Sequence, residues 1–177
     1  MNKLNLSFDI NFLNINDFLN HWETKYKYNM DQKYDDNIGK PLNKKSRLEL
    51  YEWKNGTRIS KAKIISIEKN YPLIFNGNKE ERYLNYKESG GAIWNIFYLH
   101  CLEPQKYPIY DQHTYRAMYY MKNQKIKEIG RSHEEKYLSY MNEYKPFIKS
   151  FEEVNIRKID RALFSFGRFL KIANKYT

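Results

Sequence analysis

The stretch from Ser89 to Leu102 is 14 residues without a charged side chain, the longest such run in the chain, and the rest of the molecule has to fold around it. Gly90-Gly91 breaks the segment before it, and Pro104 stops it after Glu103. Between them, Ala92 to Glu103 reads as an apolar helix whose Trp94, Phe97 and Tyr98 belong in a core. It is too short, and with Asn95 and His100 too polar, to span a bilayer, so no membrane partner is expected. Helical signals recur on both sides. Asn16 or Asp17 can cap a helix carrying Phe18, Leu19, Trp22 and Tyr26 on one face. Ser46 can cap the next, with Leu50 and Trp53 inward and Gly56 closing it. Further helices are expected near Ser60 to Asn70 and from Lys79 to Lys87. Asp111 caps one that runs to about Asn123, and Ser132 with Glu135 makes a capping box for a helix towards Tyr144. The last, Ile156 to Asn174, places Ile159, Leu163, Phe166 and Leu170 on one stripe. Residues 30–43 read as a polar loop, and residues 1–15 alternate weakly enough to form an extended arm. No segment reads as a convincing sheet and there is no repeat. The fold class is therefore all-α, in a chain of 177 residues that has room for one domain or two small lobes sharing a core.

Charge narrows the partners. Lys and Arg exceed Asp and Glu by 10, and two segments hold the whole surplus. Residues 40–70 carry nine basic and three acidic side chains, and residues 154–177 carry six and one. Such blocks can neutralise phosphates and release counterions, which makes nucleic acid the expected partner. Nineteen Asn and 17 Tyr against five Ala also suggest an A+T-rich coding bias, which favours Lys on its own. The single cysteine, Cys101, excludes an intramolecular disulfide framework and a Cys-based zinc cluster. His21, His100 and His133 lack partners at ligand spacing, so no metal and no cofactor is expected. The first residues have no unbroken apolar stretch of the kind a secretory leader needs, and a cytoplasmic location is the expectation. No Walker-type loop, Gly-x-Ser-x-Gly or Arg-x4-His pattern occurs, which weakens nucleotide hydrolase, esterase and ribonuclease readings.

The segment from Glu88 to Met121 carries the most chemistry. It reads as a Gly-Gly hairpin, the apolar helix, a Pro-containing extended turn, and an Asp at the start of another helix. Small residues let a backbone hairpin approach a phosphate closely, and the amides of the following helix can donate to phosphate oxygen. Pro108 stiffens the approach to Asp111, whose carboxylate is favoured in its charged form at a helix N-terminus.

On these residues the chain resembles the helix-hairpin-helix DNA glycosylases, and within them the small 8-oxoguanine-glycosylase-like branch. That superfamily sets a Gly-containing hairpin about twenty residues before an Asp in a context like Pro-Val-Asp-Thr-His-Val-x-Arg. Here Pro108, Asp111, His113 and Arg116 fall in the matching places, and Gly91 lies 20 residues before Asp111. The resemblance covers about residues 88–118, with weaker likeness at Leu50 to Gly56 and Ile159 to Gly167. The usual hairpin, roughly Gly-Val-Gly-x-Lys-x-Ala, is here Ser89-Gly90-Gly91-Ala92-Ile93-Trp94-Asn95. The position of the Schiff-base lysine holds Ala92 or Ile93, and Lys87 is too early. No Cys cluster exists for an iron–sulfur site, and the short chain requires one reduced lobe.

The resemblance implies a single helical domain over residues 1–177, with the hairpin and acid region at about 79–124. It implies a monofunctional DNA base-excision glycosylase that uses water rather than lysine, acting on a damaged base or a modified base of foreign DNA. Double-stranded DNA is the implied partner, with no obligate protein partner. Asp111 is the implied catalytic carboxylate, Gly90 and Gly91 the phosphate grip, and Lys54, Arg58 and Arg116 the further DNA contacts. Trp53, Trp94, Tyr110 and His113 are the candidates to stack on or line a pocket for the flipped base. Breaking an N-glycosidic bond builds positive charge on the sugar, and a carboxylate about 4 Å away at an effective dielectric near 20 is worth roughly 4 kcal/mol. That is about a thousandfold in rate. The competing expectation is a helical nucleic-acid-binding module that keeps the fold without the activity.

Overall fold

In a computed structural model of the chain, residues 11–151 and 154–175 are described. Most of the expected N-terminal arm, residues 1–10, lies outside them. Every regular element among the described residues is helical, in the order α1 (Ile15–Glu23), α2 (Asp31–Asp35), α3 (Lys44–Asn55), α4 (Lys61–Asn70), α5 (Lys79–Tyr83), α6 (Ala92–Leu102), α7 (Gln112–Asn123), α8 (His133–Ser139), a π-turn (Tyr140–Tyr144), α9 (Lys145–Lys149) and α10 (Ile156–Ala173). The all-α class is thus the observed one. No described helix is long and apolar enough to cross a membrane.

Local chemistry accounts for most boundaries. Asp111 caps α7 and Thr114 returns the bond to the cap, while Ser132 and Glu135 close the box at α8. Gly56 ends α3 in the left-handed region, with φ at 76°. Four expectations are corrected. Asn14, not Asn16 or Asp17, caps α1. Asn43 caps α3, with Ser46 as its partner three residues in. Residues 31–35, expected in a loop, form the short α2, and α5 stops at Tyr83 rather than Lys87. The widened turn before α9 follows from Pro146, which has no N–H for the carbonyl of Asn142 and whose ring crowds that carbonyl. Lys145 N–H instead reaches back to Tyr140 O.

Helix α6 explains why its sequence is apolar all round. Ala92 and Ile96 join one core with Phe18, Leu19 and Trp22 of α1, Met118 of α7 and Leu163 and Phe166 of α10. Phe97, Tyr98, Leu99 and Cys101 join a second with Leu50, Tyr51 and Trp53 of α3 and Tyr34, Tyr71 and Tyr83. The helix is the wall between two packed halves. The buried tyrosines need partners, and most have them: Tyr34 with His100, Tyr71 and Tyr137 with Asn95, Tyr98 with the Pro72 carbonyl. Tyr51 is the exception. It is fully buried, stacks on Trp94 with centroids 5.1 Å apart, and its hydroxyl has no partner among the described residues. Tyr51→Phe is therefore expected to raise stability by about 1 kcal/mol by removing a desolvated, unbonded hydroxyl. A thermal melt should show a midpoint higher by roughly 2–4 °C, and a lower one would mean that the hydroxyl has a partner after all.

Candidate functional site

Asp111 ends the extended turn that Pro108 stiffens and begins α7. Its Oδ1 accepts from the backbone N–H groups of His113 at 2.8 Å and Thr114 at 3.0 Å. That leaves Oδ2, which faces Lys54 Nζ at 3.4 Å. The Asp111 side chain is 23% exposed and that of Lys54 only 6%. Burial works against a charged carboxylate here. The Lys54 ammonium, aided by the amides of Thr114 and His113, outweighs it and holds Asp111 below the ordinary carboxylate range. One oxygen is thus fixed by the helix start, and the other is an anion at a partly open surface.

Lys54 comes from the last turn of α3. Its Nζ also donates to the Tyr110 carbonyl at 3.1 Å and lies 5.6 Å from the Phe97 ring centroid. It was expected as a phosphate contact. Its burial and its pairing with Asp111 correct that: it is the acid's countercharge. Arg116 is corrected too. Its side chain is 1% exposed, forks onto Glu128 at 2.9 and 2.6 Å, and donates to the Gly167 carbonyl at 2.8 Å, which leaves nothing for a phosphate. His113 accepts from Arg116 Nη1 through Nδ1 at 3.1 Å. Burial first, then Arg116, lowers its basicity, so it stands as a neutral, positioned ring.

The aromatic candidates divide. Trp53 and Tyr110 are buried, Trp53 against Tyr34 and Phe97 and Tyr110 against Tyr140 and Tyr144, so neither presents a face to a base. Trp94 is half-buried beside the hairpin, with Lys63 Nζ 5.0 Å from its ring centroid. Lys63 in turn donates to Asn55 at 2.7 Å, next to the Gly56 turn and Lys54. Arg58 is exposed on a groove of about 570 Å³ between α2, α3 and α4. Gly90 has φ at 101°, and a Cβ there would sit 2.3 Å from Asn95 Oδ1, so the tight hairpin requires glycine. The hairpin's contacts are with Tyr71, Arg82 and Asn95, and the Ala92 amide is bonded to His133 Nδ1 at 3.3 Å. Hairpin and acid do not touch. They are linked through Trp94, Lys63 and Asn55 on one side and through α6 to Phe97 on the other.

Several site residues had no sequence signal beyond type. Tyr28, whose hydroxyl donates to the Trp53 carbonyl at 2.6 Å, and Phe164, edge-on to His113 at 5.0 Å, form a partly exposed aromatic wall with Tyr26. Asp31 collects Tyr26, Trp53, Arg157 and Arg161, and Asp160 pairs with Arg157. The ion pairs of Asp31 with Arg157 and Arg161 join α2 to α10, more than 100 residues apart, and only the tertiary fold brings them together. No group of three or more metal-ligating side chains occurs among the described residues.

The class that the fold and this site define is an all-α protein in which a helix-capping aspartate, a buried lysine and partly exposed aromatic rings meet where α3, α7 and α10 converge. No protein-family model, no curated protein and no solved structure matches the chain.

Proposed function

We propose that this chain is a DNA base-excision glycosylase that hydrolyses the N-glycosidic bond of a damaged or modified base flipped out of duplex DNA. The observation that carries the reading is Asp111: an anion held charged by Lys54 and two amides, one oxygen locked and the other at a partly open surface. Such a group stabilises a sugar that turns cationic and orients the water that attacks it. The aromatic wall of Tyr26, Tyr28 and Phe164 offers a surface for an extruded base. The basic segment holding Arg58 and Lys63, with the Gly90-Gly91 hairpin, offers contacts to the backbone. The substrate is a lesion or a modified base of invading DNA.

The test incubates the protein with duplexes bearing oxidised, alkylated, deaminated or hypermodified bases and reveals abasic sites with alkali. Product that needs alkali supports a monofunctional enzyme. No product from any duplex, phage DNA included, would leave the non-catalytic binding module.

A further inference from the structure

The proposed chemistry leaves the basic end of the chain without a partner. Residues 154–177 hold six basic side chains and one acid, and the fold divides them. In the first half of α10, Arg157 and Arg161 turn onto Asp31, Asp35 and Asp160, so their charge is answered inside the protein. Lys158 falls on another side of the helix. Arg168, Lys171 and Lys175 are exposed, and none has a carboxylate within ion-pair distance among the described residues.

Phe164, Arg168, Lys171 and Lys175 follow one another by four, three and four residues, the spacing that keeps side chains on one face of a helix. Lys175 lies just past the cap Asn174, and its N–H donates to the Ile172 carbonyl, so the turn carries on to it. The row covers about 16 Å along the axis. It begins at the acid: Phe164 stands edge-on to His113, whose amide holds Asp111. The Arg168 guanidinium lies 5.8 Å from the Phe164 ring centroid, and Tyr26 and Tyr28 meet that ring at 5.7 and 5.8 Å. Phe169 and Ile172, 40% and 55% exposed, flank the cations. Partly open rings among unpaired cations suit an unpaired strand, which offers π-faces to the rings and phosphates to the charges. A duplex keeps its bases stacked on one another and would use only the cations.

We propose that the C-terminal half of α10 is a binding track for single-stranded DNA, with Arg168, Lys171 and Lys175 along the phosphates and Phe164, backed by Tyr26 and Tyr28, taking a base. The binding does not need Asp111 to break a bond. Because the track ends at the start of α7, the base on Phe164 would stand beside the acid.

The experiment follows fluorescence anisotropy of an undamaged, labelled single strand of roughly 15 nucleotides and of its duplex, between about 50 and 200 mM salt. The wild type should bind the single strand at least about tenfold tighter at equal salt, although the duplex has the higher charge density. Changing Arg168, Lys171 and Lys175 together to Gln should lower the single-strand slope of log affinity against log salt by about 2. Phe164→Leu should weaken the single strand about tenfold and leave the slope as it was. A control with Lys122, Lys125 and Lys149 changed to Gln removes the same charge from exposed positions on α7 and α9, and its slope should stay that of the wild type. Equal loss of slope in both triple variants overturns the track, because the binding is then diffuse charge. A duplex or an RNA strand bound as tightly as the single DNA strand also overturns it, as does retention on phosphatidylserine vesicles with no single-strand binding. If Phe164→Leu does not fold, the wild-type preference and the two triple variants decide. Single-strand binding without base release from any duplex overturns the glycosylase reading alone, and base release with no difference between the two triple variants overturns the track alone.

Discussion

Asp111→Asn is expected to slow base release about a thousandfold while the fold and duplex affinity persist. Asn is as good a helix cap as Asp, so its side-chain oxygen still accepts from His113 and Thr114 and α7 still starts at Gln112. What is lost is the charge. An anion about 4 Å from a developing cation contributes roughly 4 kcal/mol at an effective dielectric near 20, and a neutral amide contributes little of it. Lys54 keeps the Tyr110 carbonyl and the Phe97 face but, with its side chain 6% exposed, loses its countercharge in a buried place, which should cost about 3 kcal/mol of the roughly 5–15 kcal/mol that holds a domain together. The sign of the pH dependence follows from the lowered Asp111 carboxyl. Its contribution to stability is complete above the ordinary aspartate range and is lost as pH falls through the depressed value. The anion is therefore present at every pH above the ordinary aspartate range. Single-turnover rates for the variant, beside its circular dichroism and salt-dependent binding, check this. A variant as fast as the wild type would remove Asp111 from the chemistry.

The sequence revealed what depends on residues three or four apart and little that depends on residues fifty apart. Asp111 was legible as a cap because the cap, its two amides and Thr114 lie within four residues. The apolar character of α6 was legible too, and its cause is visible only in three dimensions: one helix walls two cores. Asn43 and Ser46 show where local reading slips, since both are good caps and they sit three residues apart in the same box. The pairing of Lys54 with Asp111 spans 57 positions, and nothing in either neighbourhood announces it. Arg116 matched a pattern by type and spacing, yet its fate was settled by Glu128 and the Gly167 carbonyl. Trp53 and Tyr110 were sensible stacking candidates by chemistry, and packing buried both. Tyr28 and Phe164, unremarked in a chain with 17 Tyr and 10 Phe, are the rings that the fold leaves partly open.

Gly167→Ala tests the contact that sets the site's shape. Glycine to alanine inside a helix ordinarily stabilises it by roughly 1 kcal/mol. Here the sign should reverse, because a Cβ at 167 would lie 1.9 Å from the His113 carbonyl oxygen and 2.6 Å from its carbonyl carbon. Both neighbours are backbone, so α10 must retreat from α7. The retreat strains a close-packed interface, at about 1–3 kcal/mol, and stretches the bond from Arg116 to the Gly167 carbonyl, a charged hydrogen bond of about 1.5–3 kcal/mol. The sum is a large share of the roughly 5–15 kcal/mol that holds a domain together. The melting midpoint should fall by about 10 °C, at roughly 2–4 °C for each kcal/mol. The same movement shifts the start of α7, and with it Asp111, against Phe164. A displacement of about 1 Å there costs on the order of a hundredfold in rate even in molecules that remain folded. Melting and base release measured on one preparation separate the two effects, and a variant that melts at or above the wild-type midpoint would show that α10 and α7 do not pack as closely as the Arg116 bond requires.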